Sequence, residues 1–503
     1  MREQPLQNLL SSCTHELVHG TLSLPVRGLA YDSRAVQPGD LFVAWHGLKQ
    51  DGHRFIAEAI RRGCRAVVGE NRQALEQVRQ QFSPSPTLVL VPDSRLALAH
   101  LAAAFYQYPA RKMKVIGVTG TNGKTTTTYL LESILRASGT SVGVIGTITY
   151  RYDGWEAPAE RTTPEASDIQ RLLHQMVEAG VEYCIMEVSS HALAWKRVLG
   201  CHFAVGLFTN LSQDHLDFHR DEEEYFQAKA SLFLSYPVDI AVINGDDPWG
   251  RRLISLLPHP PLTYGRGREH TVSAHDLDID AQGIRCSLST PYGTLPLRSA
   301  LLGEFNLHNI LAAAAVGIGL NVDLASIKTG IEAVRTVPGR FERVEAGQDF
   351  LVVVDYAHTP EALRGVLSVA RRLTPRRLIT VFGCGGDRDR SKRPLMGKAV
   401  AEYSDYILLT SDNPRSEDPM AIIRAAEEGI KQVKPLKPYL TVPQRREAIE
   451  QAIQMATTGD IVVIAGKGHE TYQIIGETVL PFDDRVVARD ALQRRIKERE
   501  KGE

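Results

Sequence analysis

The sequence has no excess of charge of either sign: 58 Lys and Arg against 59 Asp and Glu leave a formal net charge of −1 over 503 residues. No global field gathers nucleic acid or an anionic membrane, so any anionic ligand must be held by local groups. Long apolar runs are missing as well. The longest, Ile310 to Leu320, has 11 residues, against the ~20 of a membrane-spanning helix. Cysteine is sparse and scattered: Cys13, Cys64, Cys184, Cys201, Cys286 and Cys384 form no close pair, which argues against a zinc knuckle, a redox motif or a disulfide framework. The opening MREQPLQNLLSSC has no apolar core of a secretory signal, so a cytoplasmic location is expected, with no membrane insertion and no nucleic-acid partner. What remains, 43% hydrophobic and 23% charged residues, is the composition of an ordinary folded protein. The length predicts two to four domains.

From about residue 28 to 110, short apolar runs (Leu41 to Trp45, Ala66 to Val68, Leu88 to Val91) alternate with helical patterns such as Phe55 to Arg62 and Leu96 to Tyr106. After Pro109 a new unit opens with the strand signature Val115 to Val118, and further strand-like runs fall at Tyr183 to Val188, Ala204 to Phe208 and Ile240 to Ile243. Helices predicted at Asn309 to Gly319 and Leu324 to Val334 lead into a linker, Val337-Pro338-Gly339. The rhythm then restarts with Leu351 to Val354, Arg377 to Phe382, Tyr406 to Thr410 and Ile461 to Ala465. This alternation predicts an α/β protein of three domains, 1–111, 112–336 and 337–503.

The sharpest local signal is Gly120-Thr121-Asn122-Gly123-Lys124-Thr125-Thr126, between the strand Val115 to Val118 and a helix carrying Leu130, Leu131, Ile134 and Leu135. A glycine-rich turn that opens a helix aims backbone N–H groups and the helix dipole at phosphate, while Lys124 supplies a cation and Thr125 a hydroxyl for Mg2+. Val118 stands where the full Walker pattern has glycine, so the motif is the shorter G-x-x-G-K-T. Glu187 and Asp214-His215 each follow an apolar strand, and ligands of open α/β sheets bind at the carboxyl ends of strands. Taken alone, each of these is more often a helix cap or loop residue.

Taken in order, the G-x-x-G-K-T loop, the strand-end Glu187, the segment Asn210 to His215 and Lys229 in a following helix resemble the Mur ligase family of ATP-dependent amide-forming enzymes. Within it, the chain resembles the branch that adds a third residue to UDP-N-acetylmuramoyl-L-alanyl-D-glutamate. Supporting segments are Asp32-Ser33-Arg34, Glu187 to His191, Asp355 to Pro360, Gly385 to Asp389, Asp412-Asn413-Pro414-Arg415 and Gly466 to Glu470. Together they span almost the whole chain.

The resemblance implies a central P-loop-type, mostly parallel sheet, a C-terminal Rossmann-like α/β domain and an N-terminal domain for the UDP end of the substrate. It implies that Tyr31, Ser33, Leu48, Lys49 and Gln50 contact the uridine end. Thr162, Thr163, Ser189, Trp195 and Arg197 would position the muramoyl-peptide and its phosphates. The phosphate loop with Asn306, Asn309, Arg340 and Asp355 would bind ATP, the co-substrate. Thr125, Glu187, His215 and Lys229, the last as a carbamate (N6-carboxylysine), would hold Mg2+. Lys124, Lys229, His215, Glu187 and Arg340 would carry the chemistry. Arg388, Asp412, Asn413, Pro414, Arg415, Gly466 and Glu470 would bind meso-diaminopimelate, Arg415 pairing with its distal carboxylate. A monomer is expected. Asn309 also reads as the cap of a helix it opens, Arg340 as a linker ion pair, and Arg415 as a loop residue paired with Glu417 or Asp418. At the level of function the alternatives are the same ligation with L-lysine, a folylpolyglutamate synthetase-like ligase, or a nucleotide switch without ligation.

Overall fold

The computed structural model describes residues 3–47, 50–215, 218–374 and 376–502. Among the described residues three large sheets, each with its own helices, follow one another along the chain, with two two-stranded ribbons beside them. The first has five strands in the order Glu16–His19, Thr87–Leu90, Ala66–Gly69, Leu41–Ala44, Leu29–Ala30, all parallel except the first pair. The middle sheet has eleven strands. Its parallel centre places Lys114–Thr119 between Tyr183–Glu187 and Phe203–Phe208. The third has six, with Leu351–Asp355, Ile461–Ala465, Leu378–Phe382 and Tyr406–Leu409 as parallel neighbours.

The central strands are apolar without alternation because helices cover both faces. Val115, Ile116 and Val118 are fully buried; the helix Lys124–Ala137 lays Leu130, Leu131, Ile134 and Leu135 on the core of Ile116 and Val118, while Val115 belongs to the core on the other face. The helix Glu304–Gly319 is apolar all round and buried along nearly its whole length, as periodicity-free Ala-rich sequence demands. Among the described residues, no helix is long and apolar enough to cross a membrane.

The α/β class and the mostly parallel central sheet match expectation, but two features differ. Val272–Asp280, Gly283–Thr290 and Gly293–Ser299 form an antiparallel meander that extends the middle sheet. Their polar, half-exposed faces (His275, Asp276, Asp278, Arg285, Ser287) hide the strand signal that the buried central strands give. The Ala-rich helix opens at Glu304, after Gly303 at φ +87°, and not at Asn309. Asn309 therefore lies inside the helix and does not cap it.

In the third unit the helix Arg445–Met455 is joined to the last helix by a fully buried ion pair: Arg445 Nε and Nη2 donate to the two Asp484 carboxylate oxygens at 2.8 and 2.7 Å. Nη2 also donates to Ala465 O at 2.9 Å, fixing the strand end from which Gly466 to Glu470 departs. Removing one partner leaves an uncompensated buried charge. Asp484→Ala is accordingly expected to cost about 3–5 kcal/mol, read as the shift of the urea transition that melts this sheet.

Candidate active site

The phosphate loop can close only because two positions lack Cβ. Gly120 has φ +143° and an added Cβ would lie 1.9 Å from Thr209 Oγ1, while Gly123 has φ +88° and would meet Asn309 Oδ1 at 2.3 Å. The adjacent strand end pins the loop: Thr121 N donates to Asn210 O (2.8 Å), Asn122 N to Asn210 Oδ1 (3.0 Å) and Thr209 Oγ1 to Asn122 O (2.7 Å). Lys124 Nζ folds back onto the carbonyls of Gly120 and Thr121, both at 2.8 Å. Desolvation holds its ammonium below the usual lysine range, against the opposing pull of Glu187 and Asp214. Thr125 Oγ1 donates to Glu187 Oε2 at 3.0 Å, and Thr147 N and Oγ1 hold the same carboxylate at 2.9 and 2.7 Å. Thr126 is buried beside it.

Across from the loop stands Arg340, from the segment that opens the third unit. Its guanidinium lies on the Tyr356 ring at 4.6 Å, and Nη2 reaches Thr125 Oγ1 at 3.4 Å. It therefore points at the loop, and among the described residues no carboxylate forms a salt bridge with it. Asp355, at the end of its strand, accepts from Phe341 N and Ala357 N, each at 2.7 Å, and so fixes the turn that presents Arg340. Burial pushes the Asp355 carboxyl up, with Arg340 opposing. These groups line one cavity of about 630 Å³ together with Thr162, Asp214, His215 and Asn309. Asn306 stands behind the wall: its Oδ1 accepts from Asn309 Nδ2 at 2.9 Å, and Asn309 Oδ1 receives Thr127 Oγ1 at 3.4 Å.

Lys229 lies beneath the loop on the helix Glu222–Leu234, 1% exposed, with Nζ donating to Gly120 O at 2.7 Å. Burial, and then the neighbouring Lys124, drive its pKa well below that of an ordinary lysine. His215, at φ +55°, meets the same Tyr225 ring that Lys229 covers, at 6.0 and 4.6 Å. Among the described residues no three His, Cys, Asp or Glu side chains cluster as metal ligands. Oxygen donors that do stand together in the cavity include Thr125, Thr147 and Glu187.

In the third unit, three loops leave adjacent parallel strands of its sheet. Arg415 has φ +53°, and Nη1 donates to Gly386 O at 2.7 Å. Neither neighbouring carboxylate pairs with it, because Glu417 is held by Arg393 and Arg390 and Asp418 by Arg424. Asn413 ties the loops: Oδ1 receives Lys467 Nζ (3.1 Å) and Ile474 N (3.0 Å), and Nδ2 donates to Glu470 Oε2 (2.9 Å). Lys467 Nζ also reaches Glu470 Oε2 at 3.0 Å. Gly466, at φ +117°, leaves room for the Asp412 carboxylate, which a Cβ would meet at 2.6 Å. Pro414 O packs against Gly386, while Arg388 is exposed and donates to Asp387 O at 3.1 Å.

On the opposite side, Tyr31 Oη donates to Asp168 Oδ2 at 2.6 Å, joining the first unit to the middle one, and Ser33 Oγ donates to Glu58 at 2.9 Å. Leu48 and Lys49 lie outside the described residues; Gln50 O accepts from Gly47 N at 2.9 Å. Thr163 Oγ1 donates to Glu187 O (2.8 Å) and accepts from Ser189 N (3.0 Å). Arg197 donates to Thr163 O at 3.1 Å and pairs with Glu165 at 2.8 Å, lying over the Trp195 ring at 4.7 Å. Sequence reasoning missed Thr147, which orients Glu187, and gave no site role to Asn210, which pins the loop, or to Lys467, which Glu470 engages. Asn210 and Lys467 both carried a signal, their places in the segments Asn210 to His215 and Gly466 to Glu470.

Residues 25–106 match the description "Mur ligase family, catalytic domain", 118–317 "Mur ligase middle domain" and 339–468 "Mur ligase, glutamate ligase domain". The chain is 46% identical over 497 residues to the UDP-N-acetylmuramoyl-L-alanyl-D-glutamate–2,6-diaminopimelate ligase of Geobacillus thermodenitrificans, covering 97% of this chain and 99% of that one. It is 49% identical over 482 residues to the ligase of the same name from Gloeobacter violaceus, covering 94% and 96%. A solved structure of a ligase so named superposes with a TM-score of 0.69 at 32% identity, covering 99% of this chain and all of that one.

Proposed function

The chain belongs to the Mur ligase family, and on that premise we propose that it joins meso-diaminopimelate to UDP-N-acetylmuramoyl-L-alanyl-D-glutamate with cleavage of ATP to ADP and phosphate, in peptidoglycan precursor synthesis. The observation that carries this reading is the meeting, in one cavity, of Lys124, Thr125 and Glu187 from the middle sheet with Arg340 from the third unit. In this reading residues 1–111 hold the UDP end, 112–336 bind ATP and 337–503 bring the amino acid, and the nucleotide-linked substrates place the reaction in the cytoplasm.

A carboxylate is a poor acylating agent. Transfer of the γ-phosphoryl group to the D-glutamyl carboxylate makes an acyl phosphate. The free amine then attacks its carbonyl carbon, and the tetrahedral intermediate expels phosphate. Phosphoryl transfer brings anions together, and Lys124 and Arg340 offset their repulsion. Asn309 and Asp355 shape the nucleotide's side of the cavity, with Asn306 holding Asn309. Tyr31, Ser33 and the segment 48–50 take the uridine end; Thr162, Thr163, Ser189, Trp195 and Arg197 take the phosphates and muramoyl-peptide. Arg415 receives the distal carboxylate of meso-diaminopimelate, Glu470 and Gly466 its distal ammonium, and Arg388 the carboxylate beside the reacting amine, on a platform of Asp412, Asn413 and Pro414.

The Thr125 hydroxyl and Glu187 carboxylate, adjacent hard oxygen donors, fit Mg2+, which supplies charge neutralisation at the phosphates when bound. Lys229 as an amine does not fit a cation site. Its burial favours the neutral amine, and a neutral amine adds to CO2: the N–C bond forms, a proton leaves the nitrogen, and a carbamate anion results. That anion, with His215, would hold a second ion. Lys229→Ala is therefore expected to be inactive and partly restored by short-chain carboxylic acids such as formate or acetate; full activity without them would refute the role.

The direct test is phosphate release over a panel of UDP-muramoyl peptides and amino acids. Release that requires ATP, the UDP-linked dipeptide and meso-diaminopimelate together supports the reading. Slow hydrolysis indifferent to both acceptors would replace it with a nucleotide switch.

A further inference from the structure

Between the first unit and the middle one runs a continuous stack of rings and guanidinium groups. Tyr31 lies on Trp45 with centroids 5.6 Å apart, and the Arg95 guanidinium is 5.1 Å from the Trp45 ring and 4.9 Å from the Trp195 ring. Arg197 lies on Trp195 in turn. Lys196 and Asp93, bonded at 3.1 Å, clasp the same two segments.

The carboxylates around Arg95 are all engaged elsewhere. Glu165 is held by Arg197 and Arg161, Glu70 by His46 N and Ser94 N, both at 2.8 Å, and Asp93 by Leu96 N and Lys196. Among the described residues nothing accepts from the guanidinium N–H donors of Arg95. Stacking satisfies the face of a guanidinium but leaves its edge, where all five donors lie. Arg197, only 5% exposed, likewise has an Nε without a partner. Two half-used guanidinium groups thus share one indole.

We propose that Arg95 binds the diphosphate of the UDP-linked substrate. The inference rests on the substrate reading above, which puts the uridine end at Tyr31 and the phosphates and muramoyl end at Thr162, Thr163, Ser189, Trp195 and Arg197. Arg95 sits along the stack between those ends, where a nucleoside diphosphate-sugar carries its two phosphates. A planar fork held in orientation by two indoles suits phosphate oxygens better than a flexible ammonium does.

The test compares UDP with uridine by calorimetric titration, alongside steady-state kinetics of the full reaction. Arg95→Ala should weaken UDP binding at least about tenfold, the loss of a charge-assisted hydrogen bond or more, and leave uridine binding unchanged. Arg95→Lys should fall between. KM for the UDP-linked dipeptide should rise in parallel, while KM for ATP and for meso-diaminopimelate stay put. Equal losses for UDP and uridine would mean that Arg95 serves the base or merely the packing of the two units, and would overturn the proposal. Unchanged UDP binding would overturn it alone; a wild-type protein blind to UDP would overturn the substrate reading with it.

Discussion

Lys124→Ala is expected to yield a folded protein whose ligation falls by at least about 10²–10³-fold, the usual loss when one preorganised donor to a developing charge is removed. Among the described residues its ammonium donates to the carbonyls of Gly120 and Thr121, and the loop that carries them is anchored independently by Asn210 and Thr209. Its position opens the helix Lys124–Ala137, where alanine is a better helix former than lysine. Desolvation already disfavours its charge, so truncation removes a group the fold tolerates but does not need. Thermal unfolding should therefore stay within about 2–4 °C of wild type, the shift of roughly 1 kcal/mol in a unit this size. Near-normal phosphate release by the variant would end the assignment of the loop to ATP.

Arg415→Ala should remove most of the preference for meso-diaminopimelate over L-lysine while sparing the ability to ligate. The two amino acids differ by one carboxylate at the far end of the side chain, and among the described residues no carboxylate forms a salt bridge with Arg415: it donates to Gly386 O, while Glu417 and Asp418 are occupied by other arginines. Lysine in the site would leave that guanidinium without its ligand, a loss of roughly 2–5 kcal/mol for a desolvated charge pair, or about 30- to several-thousand-fold in discrimination. The loop is held in place without help from the side chain, since Arg415 N donates to Ile474 O at 3.1 Å and Gly476 N to Arg415 O at 2.8 Å. The variant should keep its Tm and show the change in kcat/KM for meso-diaminopimelate alone. A wild type that prefers lysine, or a variant that keeps its selectivity, would overturn the choice of amino acid and leave the ligase reading standing.

What the sequence makes legible follows the physics of each segment. Strands buried on both faces, such as Val115 to Val118 and Ile461 to Ala465, are continuous apolar runs bounded by glycine, and their limits fall within a residue or so of expectation. The meander Val272–Asp280, Gly283–Thr290 and Gly293–Ser299 is half solvated and interrupted by a register shift between His275 and Asp278, so neither period stands out. The phosphate loop is legible because glycine at 120 and 123 is a steric necessity against Thr209 and Asn309. Pairings across the units are not: that Arg340 reaches Thr125, or that Tyr31 donates to Asp168, joins residues far apart in sequence. Arg95 escaped notice for the same reason. Its meaning lies in two tryptophans 150 positions apart.

The three loops around Arg415 and the phosphate loop hang on different sheets, and Arg340 is a bridge between those sheets, reaching Thr125 at 3.4 Å from the side of the third. Choice of amino acid and activation of the carboxylate are thus separable inventions. A lineage, or a protein engineer, can rewrite 385–389, 412–415 and 466–470 to admit a different nucleophile without redrawing the apparatus that makes the acyl phosphate. Grafting those three segments between relatives, with the hairpin Tyr472–Ile475 and Thr478–Pro481 that clasps Arg415 carried along, is the minimal unit of exchange.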